Sequence, residues 1–73
     1  MGLAVKPREI IKFLESNGFV LKNTAGSHYK YQKGKFITVV PVHNADLDTG
    51  TLLSILRLSG LTKSQLKDWL GRK

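Results

Sequence analysis

Residues 26–31, with the sequence GSHYKY, carry the side chains of this chain that are best suited to chemistry. Near neutral pH an imidazole donates or accepts a proton, as cleavage of an RNA phosphodiester requires, so His28 is a candidate acid or base. Lys30, two residues further on, could stabilise negative charge on a phosphate without a metal ion. The alternative is that His28 is an ordinary surface or hydrogen-bonding histidine.

The second histidine, His43, follows Pro41 by two residues. This places it near the end of the strand that we expect to pair with the strand carrying His28. Two imidazoles at one end of a sheet could act as acid and base, and the alternative is a loop histidine without such a role. A metal site is not expected, because two histidines without cysteines or suitably spaced carboxylates cannot complete a zinc shell. We also expect no cofactor.

The charge balance indicates a polyanionic partner. Twelve Lys and Arg residues against five Asp and Glu give a net charge of +7 on 73 residues. Such a chain favours nucleic acid, because each neutralised phosphate releases condensed counterions, although many small domains are basic for solubility alone. Five basic residues near the predicted strands or on the second helix, together with one hydroxyl, are candidate phosphate contacts: Lys22, Lys30, Lys33, Lys35, Arg57 and Ser27. The alternative for these cations is a solvated polar face.

Propensity, periodicity and capping residues predict six elements. Pro7 suits the first position of a helix, and Gly18 can end that helix in a left-handed conformation. Thr62 and Gln65 form a capping box before the last helix, and Asp48 or Thr49 can cap the second. We predict a first helix from Pro7 to residues 17–18, strands over 19–22, 27–32 and 35–40, helices over 50–58 and about 63–70, a polar turn over 23–26, and a frayed basic tail over 71–73.

This order, α-β-β-β-α-α, predicts one α+β domain spanning residues 1–73. Its three-stranded antiparallel sheet needs one face covered, and the helices are the available cover. Alternation along the second strand puts His28 on one face with Lys30 and Gln32, and puts Tyr29 and Tyr31 on the other. The tyrosines could stack on bases, or they could belong to the core. Trp69 is expected to pack in the core or to anchor the last helix.

No segment predicts export or membrane insertion. The chain has no cysteine and no apolar run near the ~20 residues of a membrane span. Its first residues, MGLAVK, lack the charged start and long apolar stretch of a signal peptide. We therefore expect a cytoplasmic protein without a membrane segment.

At this point the chain resembles the HicA-type toxins of bacterial and archaeal toxin–antitoxin pairs. Four segments carry the resemblance in order: residues 8–15 (REIIKFLE) with 17–19 (NGF), residues 26–28 (GSH), residues 39–41 (VVP) with His43, and residues 50–57 (GTLLSILR) with 59–61 (SGL). Each segment is short, but the ordered set spans most of the chain.

The resemblance implies a fold like that of the double-stranded-RNA-binding domain. It also implies cleavage of messenger RNA without a metal, with His28 as the catalytic residue, and a HicB-type antitoxin that covers the catalytic surface. Two other functions stay open: a non-catalytic RNA-binding module of the same fold, and a protein-interaction domain held by an acidic partner.

Overall fold

Three helices and three strands follow one another in the predicted order. The computed structural model describes residues 4–72. Its elements are α1 (Pro7–Ser16), β1 (Val20–Ala25), β2 (His28–Lys33), β3 (Phe36–Pro41), α2 (Thr49–Ser59) and α3 (Lys63–Arg72). This confirms the α+β class with a three-stranded antiparallel sheet. Residues 1–3, which hold part of the N-terminal pattern discussed above, lie outside the described range.

The sheet is built from two hairpins with two-residue turns, in the order β1-β2-β3. Gly26 and Gly34 occupy the first turn positions with φ of 59° and 58°, while Ser27 and Lys35 follow with negative φ. A glycine with positive φ before a residue with negative φ is the pattern of type II′ turns, whose twist matches that of the flanking strands. These turns set the pairing of all three strands and make His28 the first residue of β2.

Several predicted boundaries were wrong. β1 continues to Ala25, because Asn23, Thr24 and Ala25 pair with residues 30 to 28 of β2. Asparagine and alanine are poor strand formers, and ladder pairing overrides that preference. Ser27 belongs to the turn rather than to β2, and Lys33 and Pro41 end their strands.

The predicted frayed tail was also wrong for residues 71 and 72, since α3 runs to Arg72. The Arg72 guanidinium lies 2.8 Å from the Asp68 carboxylate one helical turn earlier. Such i,i+4 pairs add a few tenths of a kcal/mol to a helix. Lys73 lies outside the described residues.

The helices cover one face of the sheet. The core contains three α1 residues, three α2 residues, Leu66 of α3 and the inward-facing residues of β2 and β3: Ile10, Phe13, Leu14, Leu52, Ile55, Leu56, Leu66, Tyr31, Thr38 and Val40. Trp69 packs against this core with its ring centroid 5.6 Å from that of Phe13, as predicted. All six residues of β1 are exposed, so the helical layer lies over β2 and β3.

Capping interactions fix both ends of α2 and the start of α3. The Asp48 carboxylate accepts from the Thr51 amide at 2.7 Å, which decides between the two predicted caps of α2. Thr62 and Gln65 form the predicted capping box, with distances of 2.8 and 3.1 Å. Gly60 ends α2 in the left-handed region at φ 71°, and a Cβ there would lie 2.9 Å from the Phe36 ring.

We expect Gly60→Ala to destabilise the protein by about 1–2 kcal/mol, because alanine is strained at this φ and its methyl group would displace Phe36. Urea unfolding measures the effect. Gly71→Ala is the matched control, since Gly71 lies within α3 and the added carbon would have no atom of another element within 4 Å, so stability should stay unchanged or rise slightly. Equal changes in both variants would contradict this role of Gly60.

Candidate functional site

The candidate site lies on the face of the sheet that the helices leave uncovered. We call this surface the open face. Antiparallel partners share a face, so the register assigns nine residues to it: Val20, Asn23, Ala25, His28, Lys30, Gln32, Ile37, Val39 and Pro41. The opposite face carries Tyr31, Thr38 and Val40, which are buried.

The open face consists of three rows, each with one residue from every strand. His28 lies between Ala25 and Pro41, and Lys30 forms the centre of the next row. Successive rows are about 7 Å apart, because same-face residues are two positions apart along a strand. His28 and Lys30 are therefore neighbours on one exposed surface, as the alternation predicted.

The His28 imidazole is accessible and unpaired. His28 is exposed, and its row neighbours are an alanine and a proline, which are small and without charge. Among the described residues its side chain makes no hydrogen bond or ion pair. His28 therefore has no hydrogen-bonding role within the described part of the fold, and its ring is free to bind a ligand.

The loop after β3 brings His43 to the same end of the sheet as His28. The Val42 amide donates to the Ser27 carbonyl at 2.6 Å, which joins the loop to the turn before His28. His43 is exposed and lines a pocket of about 270 Å³ together with Lys6, Pro7, Arg8, Val42 and Asn44.

Two acidic residues, Asp46 and Asp48, lie in the same loop as His43. Asp46 lies 3.3 Å from the Lys6 ammonium. The hydrogen bonds from Thr51 hold the pKa of Asp48 below its usual range, and positive charge at His43 acts in the same direction. The charged residues that line the pocket, Lys6 and Arg8, are therefore basic, and Lys6 is paired with Asp46, whereas the His28 row carries no acidic side chain.

The predicted phosphate contacts separate into two groups. Lys30 lies on the open face beside His28, Ser27 is in the turn just before it, and Lys22 is exposed at the bulge of β1. Lys35 lies in the β2–β3 turn, at the other end of β2 from His28, with its ammonium 5.9 Å from the centroid of its neighbour Phe36. Arg57 lies on α2, in the layer on the other side of the sheet. The fold does not bring these last two together with His28.

Lys33 and the tyrosines face the helical layer. The Lys33 side chain runs beside Gly18, where its Cε is 3.3 Å from the position of an added Cβ. Tyr31 is buried, so it belongs to the core and cannot stack on a base, and Tyr29 packs against the core while half-buried. Burial raises the pKa of Tyr31, and the negative charge of Glu15 adds to this rise.

Three apolar residues of the open face were missed at the level of sequence. Val20, Ile37 and Val39 are 55, 42 and 43% exposed. β-branched residues predict a strand regardless of which face they occupy. The available signal was alternation, since Ile37 and Val39 must face away from Thr38 and Val40.

Neither a metal cluster nor a membrane-spanning helix is found between residues 4 and 72. Over this range no three His, Cys, Asp or Glu side chains group as metal ligands would. None of the three helices has the length and apolar character needed to cross a bilayer.

The fold and the open face define a small basic α+β protein with an exposed histidine and lysine on a sheet backed by helices. A family model for the HicA toxin of bacterial toxin-antitoxin systems matches residues 7–61, from the start of α1 to just beyond α2. The chain therefore belongs to the HicA toxin family and is the toxin of a toxin–antitoxin system. No curated protein matches the chain at a significant level.

The buried Tyr31 predicts a loss of stability in alkali. Its pKa is raised in the folded state, so its contribution to stability is fully present below the ordinary value of 10.0 and is lost as pH rises through the higher folded value. Urea unfolding between pH 8 and 11 measures this. Tyr31→Phe lacks the ionisable group, so it should lose less stability over that interval than the wild type. If the unfolding free energies of the wild type and Tyr31→Phe fell in parallel over this interval, a raised pKa at Tyr31 would be contradicted.

Proposed function

We propose that this protein is a metal-independent endoribonuclease that cleaves messenger RNA, with His28 as its catalytic residue. One observation carries the proposal: the His28 imidazole is exposed and has no partner among residues 4–72, on an open face with Lys30 in the next row, in a chain of net charge +7. Membership of a toxin family supports a harmful activity but does not specify it.

In this mechanism a ribose 2′-hydroxyl attacks the adjacent phosphorus. His28 either removes the 2′-hydroxyl proton or protonates the departing 5′-oxygen, and the products are a 2′,3′-cyclic phosphate and a 5′-hydroxyl. Lys30, about 7 Å along the strand, would hold the phosphate and stabilise its charge. His43 is the candidate for the second proton transfer, because the Val42–Ser27 hydrogen bond brings its loop to the same end of the sheet.

We further propose that the substrate is met in the cytoplasm and that a HicB-type antitoxin covers the open face. A toxin–antitoxin family implies a protein partner. The exposed Val20, Ile37 and Val39 side chains next to Lys30 offer apolar area to such a partner as well as to RNA.

A non-catalytic RNA-binding module is the second candidate. The observation in its favour is that His28 is the one histidine among the nine open-face residues, so a second proton-transfer group would have to come from outside that face. Under this function the same basic face would bind RNA with a steep dependence on salt and leave it uncut.

Replacing His28 with alanine should reduce RNA cleavage in EDTA by at least about 100-fold, the usual contribution of a general acid or base. Cleavage is followed on a labelled RNA and on the same RNA with one 2′-deoxy nucleotide at the cut position, which the wild type should leave intact. Thermal unfolding verifies that the variant is folded. Undiminished activity of His28→Ala would exclude this catalytic role, and wild-type binding without cleavage would favour the second candidate.

Replacing Lys30 with glutamine should weaken RNA binding regardless of sequence and lower the slope of log K against log salt by about one. The matched control is Lys67→Gln, which removes the same charge from an exposed position on α3. Fluorescence anisotropy at several salt concentrations gives both slopes. The same decrease in both variants would show that net charge, rather than the open face, governs binding.

A further inference from the structure

The outer edge of β3 presents backbone groups that pair with no other strand of residues 4–72. β3 is the last strand of the sheet, and Lys33 and Phe36 flank a two-residue turn, so they form a hydrogen-bonded pair. Such pairs alternate along an antiparallel ladder, which directs the N–H and C=O groups of Ile37 and Val39 away from β2. The 2.6 Å hydrogen bond from the Val42 amide to the Ser27 carbonyl agrees with this alternation, because these two residues stand where the next hydrogen-bonded pair is expected.

This edge lacks the usual protection against strand pairing. β1, at the other edge, has a bulge at Lys22 that interrupts its register. β3 pairs with β2 without a register shift, its one proline, Pro41, is its last residue, and residues 36–40 carry no charge. Edges of this kind are normally covered or used to bind another strand.

A groove of about 550 Å³ runs beside this edge, between β3 and α2. Its lining consists of three residues of β3 and six residues in or just before α2, namely Ile37, Thr38, Val39, Asp48, Gly50, Thr51, Ser54, Ile55 and Leu58. Gly50, Thr51 and Ser54 are small residues, so they leave room next to the strand. The Leu58 side chain is 45% exposed. The Thr38 hydroxyl is buried and has no hydrogen-bond partner within residues 4–72.

We propose that this edge and groove receive an extended segment of an acidic protein partner, which adds a fourth strand beside β3. Backbone groups of Ile37 and Val39 would pair with the incoming strand, and its alternate side chains would enter the groove. This is strand addition, in which main-chain hydrogen bonds give affinity and pockets give specificity.

Charge and chemistry select this occupant over two others. A net charge of +7 attracts an acidic partner and repels a second copy of the same chain. An RNA strand does not carry the alternating amide donors and acceptors that pair with a β edge. The toxin–antitoxin family implies a protein partner, so the inference depends on family membership and not on the nuclease activity proposed above.

Hydrogen exchange tests the edge directly in the unmodified protein. The probe is the purified product of the reading frame adjacent to this one, which we expect to be an acidic protein. In its complex the amides of Ile37 and Val39 should exchange at least about tenfold more slowly, while the Lys22 amide at the other edge should not change. Unchanged exchange at residues 37 and 39, or failure of this protein to bind, would overturn the proposal. Slowing with toxin concentration alone would assign the edge to a second copy, and slowing with RNA alone would assign it to nucleic acid.

A pair of variants separates the groove from the rest of α2. Ser54→Arg fills the groove, and Leu53→Arg places the same charge on an exposed residue of α2 that does not line it. Calorimetric titration should show at least tenfold weaker binding for Ser54→Arg and a change within about twofold for Leu53→Arg. Equal losses would mean that added charge, not the groove, decides binding. Both experiments measure partner binding without RNA, so their results do not depend on whether the protein cleaves RNA.

Discussion

The pairing register of the two hairpins is the constraint on which this structure depends. Alternate residues of β2 face the solvent and the core. A shift of the strand pairing by one position would therefore exchange the two faces. Gly26 and Gly34 prevent such a shift, because each supplies the positive φ that a two-residue turn requires, and a turn of fixed length fixes which residues pair. His28 therefore follows a turn directly and points away from the helices, while Tyr31 enters the core.

The helices make the sheet one-sided. Their apolar faces bury the inward residues of β2 and β3, and the exposed β1 extends beyond them. A sheet with one covered face keeps its other face free for a ligand at little cost in stability, because the core is complete without it. Here that free face combines a histidine, a lysine and three exposed apolar side chains. This combination suits the two ligands proposed above for this face, an RNA and a protein partner.

The two edges of the sheet differ in a way that the faces do not reveal. A bulge interrupts the register at one edge, and the other is straight, apolar and flanked by a groove. Pro41 fits this edge because its missing N–H would have faced outward, where the described residues place no further strand. A partner strand on β3 would lie next to the row of Lys30 and Val39, so edge and open face form one continuous area for contact.

Local features of the sequence were sufficient for the order of elements and for the face that His28 occupies. Turn glycines, the capping box at Thr62 and the alternation of residues 28–32 act over a few positions, so their outcome does not depend on distant parts of the chain. The remaining features required tertiary structure. Pairing with β2 extended β1 through Asn23, and packing of α2 behind the sheet separated Arg57 from His28. A single backbone hydrogen bond to Ser27 brought the loop of His43 to the same end of the sheet. These contacts join residues far apart in the chain, and residue types and local spacing do not predict which distant groups come into contact.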